Sequence, residues 1–306
     1  MKENIQIQIY ILSRDRPNFI KEAIDSVLNQ NDSLMKFEII ISDNSKSDYV
    51  CKMIDRDYTQ KNLKYIRRDS HLSFEHHCQL IASELSAKYA VLFHDDDILH
   101  PDYMEAMSSF LENNNIAAVG CNAIVFENNI LNAQIKMHNF LSPKWFNDEK
   151  DFLEKYLPGG GGIAPCPGYM YRTEYLKQVL LNIPIKGKHA DVAILSSMLN
   201  HGSIVWLEKT LMYYRVHNSN LSVLESIPNR LSLLNYMNKK GMEECSTKLL
   251  LFRIHFWLRW ALQQEGGVLN ITRWRYRVVI ISVFLKIMKA AMTRDFWKII
   301  YFRYKN

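Results

Sequence analysis

The first hundred residues switch repeatedly between two hydrophobic rhythms. Ile5 to Leu12 alternates at period two and is rich in isoleucine, which predicts a strand. After the polar break Ser13 to Pro17, residues Phe19, Ile20, Ala23, Ile24, Val27 and Leu28 recur at helical spacing. Pro17 stands near the first turn, where a helix tolerates proline. Phe37 to Ile41 predicts a second strand, closed by the polar turn Ser42 to Ser45, and Tyr49 to Asp57 predicts a helix. Leu63 to Ile66 reads as a short strand, Gln79 to Leu85 as a helix, and Tyr89 to Phe93 as an apolar strand running into His94-Asp95-Asp96-Asp97. Strands alternating with helices predict an α/β fold, a mostly parallel sheet flanked by helices. In such sheets ligands sit at the carboxyl ends of strands. Three ends here are polar, at Ser13 to Asp15, Ser42 to Asn44 and Asp95 to Asp97, as a nucleotide site requires.

Beyond about residue 115 the order loosens. Ala117 to Phe126 and Gly168 to Tyr171 predict strands, Asp148 to Tyr156 and Asp191 to Leu199 helices, and Pro158 to Gly162 a loop. Ile204 to Leu207 and Leu211 to Val216 predict two further strands, and everything from Ile227 onward reads as helix. The 306 residues exceed one average domain. We therefore expect an α/β domain over residues 1–224 and a helical region over 225–306. No repeat or low-complexity run is evident.

Composition narrows the class. With 48% apolar and 23% charged residues, and only 11 Gly and 8 Pro, the chain is neither disordered nor collagen-like. The cysteines Cys51, Cys78, Cys121, Cys166 and Cys245 are scattered, which suits reduced thiols better than a disulfide frame or a zinc site. The amino terminus reads as strand rather than signal peptide. Val278 to Met292 is interrupted by Lys286 and Lys289 and is too short to span a bilayer. We expect a cytoplasmic protein.

Charge adds a second theme. From Lys248 to Asn306 there are twelve Lys and Arg against Glu265 and Asp295, so the preceding 247 residues carry −4 of the total +6. The same stretch holds Trp257, Trp260, Trp274 and Trp297, four of the six tryptophans. Basic residues mixed with aromatics on helices suit an anionic membrane surface, here the inner face of the cell membrane. Packing on the main domain is the competing reading. Nucleic acid would also attract such a surface, but no nucleic-acid motif accompanies it, and none is expected as a partner.

The triplet Asp95-Asp96-Asp97 carries the chemistry. Adjacent carboxylates repel unless a cation lies among them. Mg²⁺ or Mn²⁺ held by one or two of them keeps positions open for phosphate oxygens. The alternative is a solvated acidic turn in which Asp97 or Asp102 caps a helix near Pro101.

Taken together, several segments resemble the GT-A, family 2 inverting glycosyltransferases of bacterial O-antigen and capsular polysaccharide biosynthesis, over roughly residues 4 to 222. They are Ile9 to Pro17, Ser26 to Gln30, Phe37 to Ser45, Ala90 to Asp97, and Tyr214-Arg215-Val216-His217 on to Ser222. The resemblance implies a GT-A (Rossmann-like) fold with a nucleotide-binding half, 1–115, and an acceptor-binding half, 116–224. It implies that Ser13 and Asp15 line the nucleotide pocket and that Asp43 accepts a hydrogen bond from the base. Asp95 would approach the ribose or the metal, Asp96 would join the nucleotide set, and Asp97 would coordinate Mn²⁺ or Mg²⁺. His217 would touch the metal or the diphosphate. Arg215 has two partners open to it, a phosphate or a nearby acid. The chain departs from the family pattern in having Leu12-Ser13-Arg14-Asp15 in the first segment and Asn44 after Asp43.

Inverting transfer needs a base for the acceptor hydroxyl. In His189-Ala190-Asp191 the second position of the family's Glu-Asp pair is matched by Asp191, our choice of base, with His189 as the alternative. Gly159 to Gly162, with Pro165, Pro167 and Gly168, resembles an acceptor loop, and Cys166 there reads as packing. The implied reaction moves a sugar from a UDP-sugar, or another nucleoside diphosphate sugar, to a polyprenyl-diphosphate-linked saccharide. A homodimer through the helical region is compatible with the sequence. Two other functions compete. A sugar nucleotidyltransferase expects a glycine-rich loop after the first strand, which Ser13 to Pro17 lacks. A non-catalytic assembly partner is favoured only by the missing acid before Asp191.

Overall fold

The computed structural model describes residues 5–31, 35–127, 130, 135–157, 162–217 and 227–242, with the single positions 285, 288, 291, 292 and 297. The chain divides into two compact units, Met1–Glu149 with Ala164–Leu224, and Lys150–Ile163 with Glu225–Asn306. In chain order the elements are β1 (Ile7–Ser13), α1 (Ile20–Leu28), β2 (Phe37–Asp43), α2 (Tyr49–Asp57), β3 (Leu63–Arg67), α3 (Phe74–Glu84), β4 (Tyr89–His94) and β5 (Ile98–Leu99). There follow α4 (Tyr103–Leu111), β6 (Ile116–Phe126), β7 (Ile135–Lys136), β8 (Lys144–Phe146), α5 (Glu149–Tyr156), β9 (Tyr169–Arg172), α6 (Thr173–Leu181), α7 (Ala190–Met198), β10 (Ser203–Arg215) and α8 (Ile227–Lys239).

The first unit is built on one mixed sheet of order β3-β2-β1-β4-β9-β6-β10-β5, with β7 on β6 and β8 on β10. β1 pairs in parallel with both β2 and β4, and the long strands β6 and β10 are also parallel. β9 is antiparallel to both its neighbours, β4 and β6. This is the α/β sheet flanked by helices that the alternating rhythms predict. Ile7, Ile9 and Ile11 of β1 point to one face and join Ile39, Ile41, Val91 and Phe93 in a core closed by Ile20, Ala23, Ile24 and Val27 of α1. Tyr10, Ile40 and Leu92, out of phase with these, are buried on the opposite face. A polar residue survives inside β1 because its bonds are met. Gln8 donates to Glu38 at 2.8 Å and accepts from the Ser86 and Ala87 amides at 2.7 and 3.0 Å.

Several elements differ from the prediction. α3 begins at Phe74 rather than Gln79, because Ser73 caps it by accepting from the His76 amide at 3.3 Å. The two strands predicted over 204–216 are one strand, β10. Its register slips between Leu207 and Thr210 and again before Met212, so Glu208 and Lys209 interrupt the apolar pattern without ending the strand. α6, β5, β7 and β8 have no counterpart in the prediction, and α4 answers only to the helix near Pro101, with Asp102 at its N-cap but making no side-chain cap bond.

In the second unit, α8 carries the buried residues Leu233, Leu234, Tyr236 and Met237. Residues Trp257, Trp260 and Trp274 of the basic stretch lie outside the described residues, as do 158–161 of the glycine loop and 218–222 of the last motif. Gly162 is described, with φ at +78°, and its amide donates to the Lys155 carbonyl at 2.9 Å. Trp297 is 58% exposed. Among the described residues no helix is long and apolar enough to cross a membrane.

Candidate active site

Strand register assembles the three polar ends. Ser13 pairs with Asp43 across β1 and β2, and Leu12 pairs with His94 across β1 and β4, so Ser13 and Asp95 leave the sheet side by side. The chain proceeds outward from β1 in both directions, to β2 and β3 on one side and to β4 on the other. Such a switch point leaves a crevice above the strand ends, the customary ligand position in open α/β sheets.

The β1–α1 loop is pinned to the β2–α2 loop through Asp15, whose φ of +54° lies in the left-handed region. Its amide donates to Ser45 Oγ at 2.8 Å, and its Oδ1 accepts from the Lys46 amide at 2.8 Å. Asp43 is fully buried. Its Oδ1 accepts from the Ser45 amide at 2.9 Å, and its Oδ2 accepts from the Tyr65 hydroxyl at 2.8 Å and Arg67 at 3.1 Å. The oxygens that the resemblance assigns to a base thus already have protein donors here. Behind them, Arg68 grips both Glu84 oxygens at 2.7 and 2.5 Å and donates to Ser42 Oγ at 2.9 Å. Ser42 Oγ also lies 2.6 Å from His77 Nε2, and burial together with the Arg68 charge pushes that imidazole down to about 4, so it is neutral.

The triplet sits at the end of β4. Asp95 accepts from the Arg14 amide at 3.1 Å and pairs with Arg16 at 3.0 Å. Asp96 meets both Arg16 and His217, the latter at 2.9 Å. Asp97 is 1% exposed; its Oδ1 accepts from the Arg215 amide at 2.9 Å, and its Oδ2 is buried without a hydrogen-bond partner. Burial pushes the Asp95 carboxyl up to about 7 despite Arg16. Burial and the neighbouring Asp96 push Asp97 well above the usual carboxylate range. Asp96 is held below it, because His94, Arg16 and His217 together outweigh its burial.

One ligand atom each from His94, Asp96 and Asp97 fall within 4.8 Å of one another. A buried carboxylate oxygen without a hydrogen-bond donor, flanked by a second carboxylate and an imidazole, fits a divalent cation. This set includes His94, absent from the sequence-derived ligands, and does not include Asp95. β4 ends at His94, and the turn through Asp95 and Asp96 brings Asp96 and Asp97 back beside the imidazole.

Arg215 has an acid as its partner. Its guanidinium donates to Glu22 at 2.9 Å and to the Asp96 carbonyl at 2.8 Å, and lies over the rings of Phe19 and Phe126 at 4.6 and 4.4 Å. The His217 ring stands 4.9 Å from Phe19. Arg16, Glu22, Phe19, Tyr65 and Arg67 are not singled out by sequence, since their roles depend on contacts made far along the chain.

A short 3₁₀ turn, Cys166 to Gly168, packs on both β4 and α7. Burial and the nearby Asp191 keep the Cys166 thiol protonated, in line with a packing role. Asp191 is the second residue of α7, partly buried, and burial pushes its carboxyl up to about 6. A carboxylate tuned toward neutrality is suited to accept a proton from a hydroxyl. His189 is buried at the cap of the same helix.

Residues 8–180 match the family described as glycosyl transferase family 2. A curated relative from Haemophilus influenzae, named an uncharacterized glycosyltransferase, is 23% identical over 251 residues, covering 78% of this chain and 76% of its own. The crystal structure of S. aureus TarS 1–349 matches with a TM-score of 0.57 and 14% identity, over 94% of this chain and 81% of that one. TarS 1–349 in complex with UDP-GlcNAc gives a TM-score of 0.59 at 12% identity, with the same coverage. At these identities the likeness to solved structures establishes the fold.

Proposed function

Because the chain belongs to glycosyl transferase family 2, we propose that it moves a hexose or N-acetylhexosamine, with inversion, from a UDP-sugar to a saccharide hydroxyl. The observation that carries this reading is the buried, undonated Asp97 Oδ2 beside Asp96 and His94, at the switch point of the sheet. The UDP-GlcNAc bound by the structural neighbour supports the choice of nucleotide.

His94, Asp96 and Asp97 would hold a divalent cation, Mn²⁺ or Mg²⁺, with His217 behind Asp96. Such a cation supplies positive charge against the departing nucleoside diphosphate. The chain's own groups do the rest. Asp15 and Ser45 fix the two loops on which a nucleotide would lie, and Asp43 with Tyr65 and Arg67 forms its polar floor. Asp191 takes the acceptor hydroxyl proton as that oxygen attacks the anomeric carbon. An α-linked donor then yields a β-linked product.

The acceptor we favour is a polyprenyl-diphosphate-linked saccharide of surface-polysaccharide assembly, O-antigen or capsule. The +10 net charge and four tryptophans of residues 248–306 support a peripheral position on an anionic membrane face. Calorimetric titration with UDP, with and without Mn²⁺, tests the donor site. Metal-dependent binding is expected in wild type and absent in Asp97→Asn. Silence toward UDP, dTDP and GDP alike would overturn the reading.

A further inference from the structure

Arg16 reaches the acidic triplet from the β1–α1 loop, some eighty positions earlier in the chain. Two of its nitrogens engage two different carboxylates, Asp95 at 3.0 Å and Asp96. Both acids are buried, whereas the Arg16 side chain is 25% exposed. A guanidinium is a planar cation with a rigid fork of donors. It therefore acts as a positive charge among groups that would otherwise repel one another. Asp96 is shared, belonging also to the set formed with His94 and Asp97. A divalent ion arriving there must accept Arg16 as a like-charged neighbour or displace it.

We propose that Arg16 is a resident counter-cation that competes with the metal for the triplet and is drawn off by the donor's diphosphate, so that metal and donor bind cooperatively. The inference rests on the function proposed above and adds a coupling residue to it. A diphosphate offers the guanidinium two-pronged oxygen acceptors at least as good as the carboxylates it leaves. The exposed side of Arg16 gives it room to turn. Arg215 lacks that freedom, being 3% exposed and held by Glu22, the Asp96 carbonyl and two aromatic rings. The coupling is reciprocal: whatever factor UDP adds to metal affinity, the metal adds to UDP affinity.

The test is Mn²⁺ binding to the nucleotide-free protein, read from the electron paramagnetic resonance of free Mn²⁺ and repeated with saturating UDP. Wild type should bind weakly alone and more tightly with UDP. Arg16→Gln should bind Mn²⁺ without nucleotide at least about tenfold more tightly than wild type, since a unit charge a few ångströms away is removed. Its gain on adding UDP should shrink by the same factor. Arg16→Lys keeps the charge and loses the fork, and should fall between the two. Adding Asp97→Asn to Arg16→Gln should abolish the gain, and retention of tight binding would overturn the assignment to the triplet. If wild type shows UDP-dependent Mn²⁺ binding but neither Arg16 variant binds more tightly alone, the competition is refuted and the donor site stands. If no protein binds Mn²⁺ even with UDP, both readings fall.

Discussion

Replacing Asp191 with asparagine separates what this carboxylate costs the fold from what it contributes to the reaction. Burial raises it from 3.8 to about 6. Ionising it in the folded protein therefore costs up to about 3 kcal/mol, at roughly 1.4 kcal/mol per pH unit. Asp191 is partly exposed, and solvent screening brings the expected figure to about 1–3 kcal/mol. The sign follows from proton counts. Between pH 3.8 and about 6 the folded chain holds a proton that the unfolded chain has lost, so stability falls as pH rises through that window. Asparagine has almost the same shape and no charge. Urea unfolding should show Asp191→Asn more stable than wild type by about 1–3 kcal/mol at pH 8, with the difference vanishing near pH 4. The same variant should lose turnover, while wild-type kcat/KM falls on the acid side with a midpoint near 6. A variant no more stable than wild type at pH 8, or one still turning over at a comparable rate, would refute the reasoning.

Two further substitutions probe the scaffold. At Gly120 an added Cβ would lie 2.6 Å from the buried Tyr169 ring and 3.0 Å from Trp206. Gly120→Ala should therefore cost about 1–3 kcal/mol, and an unchanged calorimetric midpoint would count against this packing. Glu84→Ala would strip Arg68, which is only 8% exposed, of its two-pronged partner. With Glu84 itself 31% exposed, the expected loss is about 2 kcal/mol, below the range for fully buried pairs. UDP affinity should weaken with it, because Arg68 also holds Ser42 beside Asp43. A double-mutant cycle with Arg68→Ala showing coupling under about 0.5 kcal/mol would refute the pairing.

The first hundred residues are legible because their strands are central and their punctuation is local. β1, β2 and β4 are buried along nearly their whole length, so their apolar runs stand out, and each ends in a polar cluster. α4 carries a fainter signal. Tyr103, Met104, Met107, Ser108 and Leu111 form a buried helical stripe just after Pro101, but two methionines and a serine make it a weak one. α6 follows β9 with no polar break, since Arg172 ends the strand and caps the helix without a side-chain bond. β5, β7 and β8 are two or three residues long and exist through their partners rather than through any pattern of their own. The acidic triplet can be read as a cation site from charge repulsion alone. That Arg16 already holds two of its members, and that His94 faces Asp96 and Asp97, depends on pairings between distant segments.

The antiparallel insertion of β9 between β4 and β6 has a bearing on how the chain is made. Until Tyr169 to Arg172 has been synthesised, β4 and β6 each present an edge with unmatched amide and carbonyl groups. More than forty residues separate the end of β6 from that strand, so at ordinary synthesis rates the two edges wait on the order of 2–10 s on the ribosome. The stretch Tyr89 to Phe93 is among the most apolar of the sheet. During that interval the open edge of this strand is a template on which a neighbouring chain could pair. β9 thus closes two edges at once, and the other edge of β6 waits longer still, until Ser203 to Arg215 of β10 has been made.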